Sequence, residues 1–262
     1  MNAALLCEII GIPPRVVRRM EEKTAVVRER QELIRQLTET GRAEDAYIAL
    51  ADLLGEDDMA MLACQMEAAA LYYDRYSALG IKPEILTATL KCFPRFLGET
   101  LAATGKDAFD RAWWTWRQLS GTLFRIGELE YEMLKEPKMI SLHIPSDAVF
   151  TPDNVDASLA AAKDFFADYF PEYMAVPYVC HSWLLSPKLK ELLPETSNIV
   201  SFQRRFSITR VDTENRDFME WLFRADPRTP VQALPEETTL QKKAKALLLD
   251  GGNIGEAGGI LL

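Results

Sequence analysis

The stretch GELEYEML, residues 127–134, decides the fold because apolar and acidic side chains alternate in it. Leu129, Tyr131 and Met133 stand at every second position, with a glutamate between neighbours. A period of two places successive side chains on opposite faces of a β-strand. We therefore predict a strand with one buried, apolar face. The opposite face, which is either solvated or functional, carries Glu128, Glu130 and Glu132.

Strand signals continue on both sides of this stretch. The run GTLFRI (121–126) precedes it, and Gly127 indicates a bulge or a turn between two strands. The run MISLHIP (139–145) follows a turn at residues 135–138 that contains a proline. Two apolar runs joined by so short a turn predict an antiparallel hairpin.

Two more strand candidates follow, each preceded by a helix. Residues 153–170 predict a helix capped by Thr151-Pro152-Asp153, and Val176–Leu185 predicts a strand that is too uniformly apolar for a sheet edge. A short helix over Pro187–Leu193 then leads to a strand predicted at Ile199–Val211. Strand–helix–strand order predicts parallel neighbours, so the hairpin makes the sheet mixed.

Helical signals alone occupy the chain before residue 116. Pro13-Pro14 predicts the start of one long helix that ends before Gly41, and Pro94 predicts a kink or a division in a later helix. The C-terminal GGNIGEAGGILL predicts a final short strand or a docked end. The fold class that follows is α+β, with a helical N-terminal domain over residues 1–115 and a mixed α/β sheet domain over residues 116–262.

Composition narrows the function classes. The 262 residues are 48% hydrophobic and 26% charged with a net charge of −9, so neither a nucleic acid nor an anionic membrane surface is the expected partner. No apolar run approaches the roughly 20 residues of a membrane span, and the start does not resemble a signal peptide.

The four cysteines are scattered and only two histidines are present, so we expect no metal site, and free thiols in a reducing cytoplasm. The oligomeric state stays open.

Four segments together carry a family resemblance: FRIGELEYEM (124–133), HIP (143–145) before a helix, CHSWLL (180–185) and SNIVSFQRRF (197–206). With the helical region before them, they resemble bacterial acyltransferase-domain proteins. These are built from an N-acyltransferase N-terminal helical domain and a GNAT-like C-terminal domain. The resemblance implies transfer of an acyl group from acyl-CoA or acetyl-CoA to an amine, small or peptidyl, by direct attack and without a metal.

The resemblance also implies where the co-substrate binds. In GNAT folds the pantetheine arm slots between two splayed parallel strands, which here would be Met139–Pro145 and Val176–Leu185. The pyrophosphate sits on amides of the loop after the first strand. The implied cofactor contacts are Ile144, Ser146, Ala148 and Val149 in this loop and Cys180 on the second strand.

Gln203 and Arg205 extend this set of cofactor contacts. On the strand predicted at Ile199–Val211 they would share a face with Ser207 and Thr209, a face without large apolar side chains. They would then line a polar pocket, in which Arg205 could hold a phosphate or a carboxylate. The alternative interpretation of Arg205 is a structural ion pair.

Acyl transfer from a thioester to an amine needs a base, a donor to the carbonyl oxygen and an acid for the leaving thiolate. His143 ends a strand beside a helix entrance and an imidazole titrates near neutral pH, so His143 is the candidate base. Glu130, with Glu128 and Glu132, supplies alternative bases. Ser182 is the candidate hydrogen-bond donor to the thiolate or the carbonyl oxygen.

Two alternatives remain open. Cys180 could pair with His143 across neighbouring strands, as in a thiol hydrolase, whereas His181 cannot pair with Cys180 because adjacent strand residues point to opposite faces. The loop after His143 has no glycine and contains Asp147, unlike the usual GNAT phosphate loop. This favours a catalytically silent GNAT-like fold that senses a ligand or binds another protein.

Overall fold

A computed structural model describes residues 1–262, and the chain divides into two compact units, Met1–Ile126 and Gly127–Leu262. The division expected after residue 115 falls within a helix of the first unit, Ala112–Leu119. None of the helices combines the length and the hydropathy that are needed to span a bilayer.

The first unit is helical and ends in one short strand. Its longest helix, α6, is buried along most of its length, and its Gln65 side chain donates to the Ala112 carbonyl (3.0 Å) and accepts from the Thr115 hydroxyl (2.6 Å). The elements are α1 (Ala3–Ile10), α2 (Pro14–Glu21), α3 (Thr24–Glu29), α4 (Gln31–Gln36), α5 (Ala43–Leu54), α6 (Asp58–Ala78), α7 (Pro83–Leu90), α8 (Cys92–Thr104), α9 (Ala112–Leu119) and β1 (Leu123–Ile126).

The long helix predicted from Pro14 is wrong, because the segment forms the three short helices α2, α3 and α4. Side chains take over backbone acceptors at both breaks: the Thr24 hydroxyl donates to the Glu21 carbonyl (2.7 Å) and the Gln31 amide to the Val27 carbonyl (3.0 Å). The division near Pro94 is confirmed. Pro94 lies in the first turn of α8, where a missing N–H costs nothing.

The second unit alternates strands and helices. Five of its strands form one sheet in the order β2-β3-β4-β6-β5. The elements are β2 (Leu129–Lys135), β3 (Lys138–His143), α10 (Pro152–Tyr169), β4 (Tyr178–Ser182), α11 (Leu189–Leu192), α12 (Asn198–Gln203), β5 (Phe206–Asp212), α13 (Phe218–Phe223), α14 (Thr239–Leu249) and β6 (Glu256–Leu261), with 3₁₀ turns at Pro171–Tyr173, Trp183–Leu185 and Val231–Ala233.

The pairing of the strands makes the sheet mixed, as predicted. β2 and β3 form the antiparallel hairpin, and β3 and β4 run parallel. The C-terminal segment is a strand, β6, which lies antiparallel between β4 and β5. Two glycines of β6 allow this insertion: a Cβ on Gly259 would lie 3.1 Å from the Ser207 carbonyl oxygen, and one on Gly258 would meet the His181 ring.

The strand predicted at Ile199–Val211 is wrong in its first half, because Asn198–Gln203 form α12 and the strand begins at Phe206. The Ser197 side chain caps the helix by accepting from the Ile199 amide (3.3 Å). The Phe202 ring packs on that of Phe206, with centroids 4.8 Å apart, across the turn between helix and strand. The alternation inferred from the sequence therefore holds only from Phe206 onward.

The two faces of the sheet differ in chemistry. On one face, α10 covers apolar side chains, and the buried Tyr131 hydroxyl lies 2.9 Å from the Ser158 hydroxyl of that helix. Strand alternation and the register of the pairs place the polar side chains together on the other face. They are Glu130, Glu132, Ser141, His143, His181, Arg210, Asp212 and Glu256.

One glycine substitution tests the insertion of β6, and a second one, in α8, is its control. Gly255 has φ +69°, and a Cβ there would lie 2.4 Å from the Asp212 carbonyl oxygen, so Gly255→Ala should lower the free energy of unfolding by about 2–4 kcal/mol. Gly98 lies inside α8 with open space around it, so Gly98→Ala should raise that free energy by up to about 1 kcal/mol. Urea denaturation followed by circular dichroism measures both. Equal stabilities of the two variants would contradict the register around Gly255.

Candidate active site

The parallel pairing of β3 with β4 ends before either strand does, and we call this end of the pair the opening. The two parallel strands are in register over three pairs, of which the last is Leu142 with Cys180. β3 nevertheless continues to His143, and β4 continues to Ser182 while it stays paired with β6. The two strands are therefore not paired with each other at their carboxyl ends, and this is the place at which open α/β sheets receive ligands.

His143 stands at this opening and is oriented by a carboxylate. Its Nε2 lies 2.9 Å from Oε2 of Glu132, and the two side chains are 26% and 12% exposed. The contact is diagonal across the hairpin, since Glu132 is paired with Ser141 and His143 with Glu130. An imidazole held by a carboxylate at the edge of solvent can accept a proton and keep the resulting charge stabilised. Glu130 shares this face but is only 3% exposed.

Ser182 is not on the face that carries His143. Its hydroxyl oxygen accepts a hydrogen bond from the Leu184 amide (3.1 Å) and caps the 3₁₀ turn after β4. In the register of β3 and β4, Ser182 falls on the face of Leu142 and Cys180. The structure therefore brings Ser182 to the same end of the sheet as His143 but not to the same side of it.

The Cys180 side chain is buried away from any substrate. Its side chain is fully buried, and this burial, with a smaller effect from the Glu256 charge, raises the pKa of the thiol to about 12. It shares a face with Leu142, so the following residue, His143, points to the opposite face. The pairing of Cys180 with His143 considered from the sequence is therefore wrong, and a thiol nucleophile loses its support.

The loop between β3 and α10 uses several of its own amides. The Ala148 amide donates to the Pro145 carbonyl (3.1 Å), and the Val149 amide donates to Oε2 of Glu128 (2.8 Å). A carboxylate of the chain therefore holds an amide that an anionic ligand would use. Ile144 begins this loop directly after His143.

Gln203 lies inside the unit and not on a strand face. It is 2% exposed, and its Nε2 donates to the carbonyls of Leu184 (2.8 Å) and Ser186 (2.9 Å). The Ser186 hydroxyl in turn donates to the Ile254 carbonyl (2.5 Å). Gln203 therefore ties the end of α12 to the turn after β4, and Ser186 ties that turn to the segment that enters β6.

Arg205 is engaged in a structural ion pair. Its guanidinium donates to Asp156 of α10 (2.8 Å), to the Ser201 carbonyl (2.7 Å) and to the Pro152 carbonyl (3.3 Å). The predicted pocket shared by Gln203 and Arg205 is wrong, because α12 replaces the strand on which both were placed. Through these hydrogen bonds Arg205 ties the start of β5 to the start of α10.

Two open grooves lie away from the His143 opening. Their volumes are about 460 and 540 Å³, and both are lined by Lys163, Leu261 and Leu262. The larger one reaches Tyr178, the first residue of β4, whereas His143 is level with the last residues of that strand. No group of three or more His, Cys, Asp or Glu side chains is placed to hold a metal ion.

Sequence reasoning passed over His181, which the fold places on the face of His143. It is exposed and directly follows Cys180, the last residue of β4 that pairs with β3, just as His143 follows Leu142, the last residue of β3 that pairs with β4. In the sequence it was weighed only against its neighbour Cys180. No local signal could have found it, since the register of two parallel strands decides which of their residues share a side.

The family is established by two matches that together span the chain. Residues 123–261 match the GNAT-like C-terminal domain, and residues 1–121 match the N-acyltransferase N-terminal domain. The chain belongs to the family of proteins with a GNAT-like C-terminal domain. The predicted family and the predicted fold class, a helical region followed by a GNAT-like mixed sheet, are both confirmed.

Solved structures of acyltransferases share this fold over the full chain. One is an acyltransferase in complex with decanoyl-CoA and teicoplanin, with a TM-score of 0.73, 21% identity and coverage of 100% of this chain and 99% of that chain. Another is an acyltransferase in complex with decanoyl-CoA, with a TM-score of 0.72, 20% identity and the same coverage. No curated protein sequence matches the chain.

The burial of the thiols predicts their reactivity. All four cysteines are free and buried, and the pKa of Cys180 is raised to about 12, that of Cys7 to about 11 and that of Cys64 to about 11. At pH 8 thiolates are scarce in the folded protein, so iodoacetamide should label it far more slowly than the urea-unfolded chain. Mass spectrometry of both samples measures this. Rapid modification of Cys180 in the folded protein would restore the thiol mechanism.

Proposed function

We propose that the protein is an acyl-CoA-dependent N-acyltransferase whose reaction takes place at the opening between β3 and β4. The observation that carries the proposal is the His143–Glu132 contact of 2.9 Å at the point where the parallel pairing ends, in a chain of this family. The thioester would enter between the strands, and the amine would approach from the face on which His143 lies.

His143 is the proposed base of this reaction. The amine nitrogen attacks the thioester carbonyl carbon, and the His143 imidazole takes the proton that the nitrogen must lose. Glu132 holds the ring in place and stabilises the imidazolium that forms, as a carboxylate does for other catalytic imidazoles. The transfer is direct, because the buried Cys180 thiol is unsuited to an acyl-enzyme intermediate. Glu130 is assigned to the electrostatic environment of the same face.

Four residues of the loop after β3 are the proposed cofactor contacts. Ile144, the first residue after β3, offers its backbone to the pantetheine arm, and Ser146 offers a hydroxyl to a phosphate. The amides of Ala148 and Val149 are held by Pro145 and Glu128, so a phosphate binds there only if it displaces the Glu128 carboxylate. Ser182 is proposed to hold the turn that borders the site.

The substrates are proposed by analogy with the solved acyltransferases. One of them is bound to decanoyl-CoA and teicoplanin, and another to CoA and 10C-teicoplanin. A medium-chain acyl-CoA and an amine-bearing small molecule or peptide are therefore the first substrates to test. We place the reaction in the cytoplasm, where the four free thiols would stay reduced.

A second candidate function rests on the phosphate loop. The Glu128 carboxylate that occupies the Val149 amide would compete with a cofactor phosphate, as would the charge of Asp147. This favours a catalytically silent member of the fold that senses another ligand or binds a protein. The two functions differ in a direct observable, which is the affinity of the folded protein for acyl-CoA.

Calorimetric titration with acetyl-, octanoyl- and decanoyl-CoA, joined to an assay of CoA thiol release with simple amines and teicoplanin, tests the proposal. His143→Gln should lower turnover by about 10²- to 10⁴-fold, because the amine keeps its proton, while the dissociation constant of acyl-CoA stays the same. The control Glu172→Gln, which changes an exposed carboxylate near the start of β4, should leave both unchanged.

The outcomes separate the two functions. Binding and turnover in the wild type, with turnover lost in His143→Gln, support the transferase. Absence of binding by every acyl-CoA, with protein shown to be folded, would favour the silent module. Full turnover in His143→Gln would exclude that residue as the base while leaving the reaction class intact.

A further inference from the structure

The chain has two histidines, and the sheet places both at the same opening. Leu142 and Cys180 form the last pair between β3 and β4, so His143 and His181 are the next residues on the two strands. Both fall on the polar face by alternation. Resting on the proposed function, we infer that His181 is the acid that protonates the leaving thiolate of CoA.

The position of the His181 ring depends on a glycine of β6. His181 is paired with Gly258, and a Cβ added to Gly258 would lie 2.5 Å from Cε1 and 2.6 Å from Nδ1 of the ring. The imidazole therefore lies against the bare backbone of β6. Its residue is nevertheless exposed, so the ring is held in place and accessible to a substrate at the same time.

Carboxylates and one guanidinium share the sheet face with His181. Glu256 begins β6 two residues before Gly258, and burial raises the pKa of its carboxyl, as do the charges of Asp217 and Asp212. His181 and Arg210 act in the opposite direction on that pKa. The titratable and charged groups around His181 are Glu256 on β6, Arg210 and Asp212 on β5, Asp217 before α13, His143 on β3, and Glu130 and Glu132 on β2.

Two histidines complete the proton balance of the transfer. The C–N bond forms as the amine attacks, and His143 accepts the proton that the nitrogen loses. The C–S bond breaks, the electron pair goes to sulfur, and the His181 imidazolium gives its N–H proton to that sulfur, which leaves as the free thiol of CoA. His143 then returns its proton to water and His181 takes one up, so no other reactant is consumed.

A general acid has a kinetic signature that a structural histidine lacks. It must be protonated to act, so the rate falls on the basic side of the pH profile. His181→Ala should lower kcat by about 10²-fold or more, abolish the basic limb of the kcat profile and leave acyl-CoA affinity unchanged. Because the site is exposed, added imidazole should restore part of the rate. Gly258→Ala, which forces the ring aside, should lower kcat in the same way while keeping His181.

The test compares these variants with wild type and with Gly98→Ala, whose new methyl group meets open space. Decanoyl-CoA is the donor, simple amines and teicoplanin are the acceptors, and calorimetry reports decanoyl-CoA affinity. Loss of the basic limb in both variants, with imidazole rescue of His181→Ala, supports the inference. If the wild type is active and either folded variant keeps the wild-type pH profile of kcat, the inference about His181 is wrong while the proposed function stands. If the wild type turns over no acyl-CoA, the proposed function itself is wrong.

Discussion

Adjacent residues of a β-strand point to opposite faces of the sheet, and the position of each strand residue discussed here follows from that constraint. Odd residues of β2 and even residues of β3 and β4 pack under α10, where the Tyr131 hydroxyl meets Ser158. The other parity carries the glutamates of β2 and both histidines. A one-residue shift in a pairing would move these groups into the apolar layer and separate them from polar partners, as His143 would be separated from Glu132.

The candidate site lies on this polar face, at the end of the parallel pairing. Hydrogen bonds join β3 and β4 as far as Leu142 and Cys180, and β4 then stays bonded to β6 alone. His143, whose ring contacts Glu132, lies on the β3 side of the opening. His181, whose ring packs on Gly258, lies on the β4 side. In the proposed mechanism these two strand side chains move the protons, while amides of the loop after β3 donate to its own carbonyls and to Glu128.

The hairpin, the α10 helix and the parallel pair were predictable, because alternation, caps and strand–helix–strand order are local signals. The start of β5 was not, because SNIVSFQRRF fits both an alternating strand and a short helix, and packing of Phe202 on Phe206 decides between them. That error misplaced Gln203 and Arg205. The insertion of β6 between β4 and β5 lies beyond local signals, since strand order depends on long-range pairing. His143 was found from its place at a strand end, and His181 required the register of two strands.

The central claim is that CoA binds between the two histidines. Because the chain has only two, their imidazole Hε1 signals can be followed by NMR during a titration with CoA, and the His181→Ala variant assigns them. We predict that both signals shift with one dissociation constant, equal to that from calorimetry. If calorimetry reports saturation while either signal stays unmoved, CoA binds elsewhere or reaches only one side of the opening, and the assignment of the site is wrong.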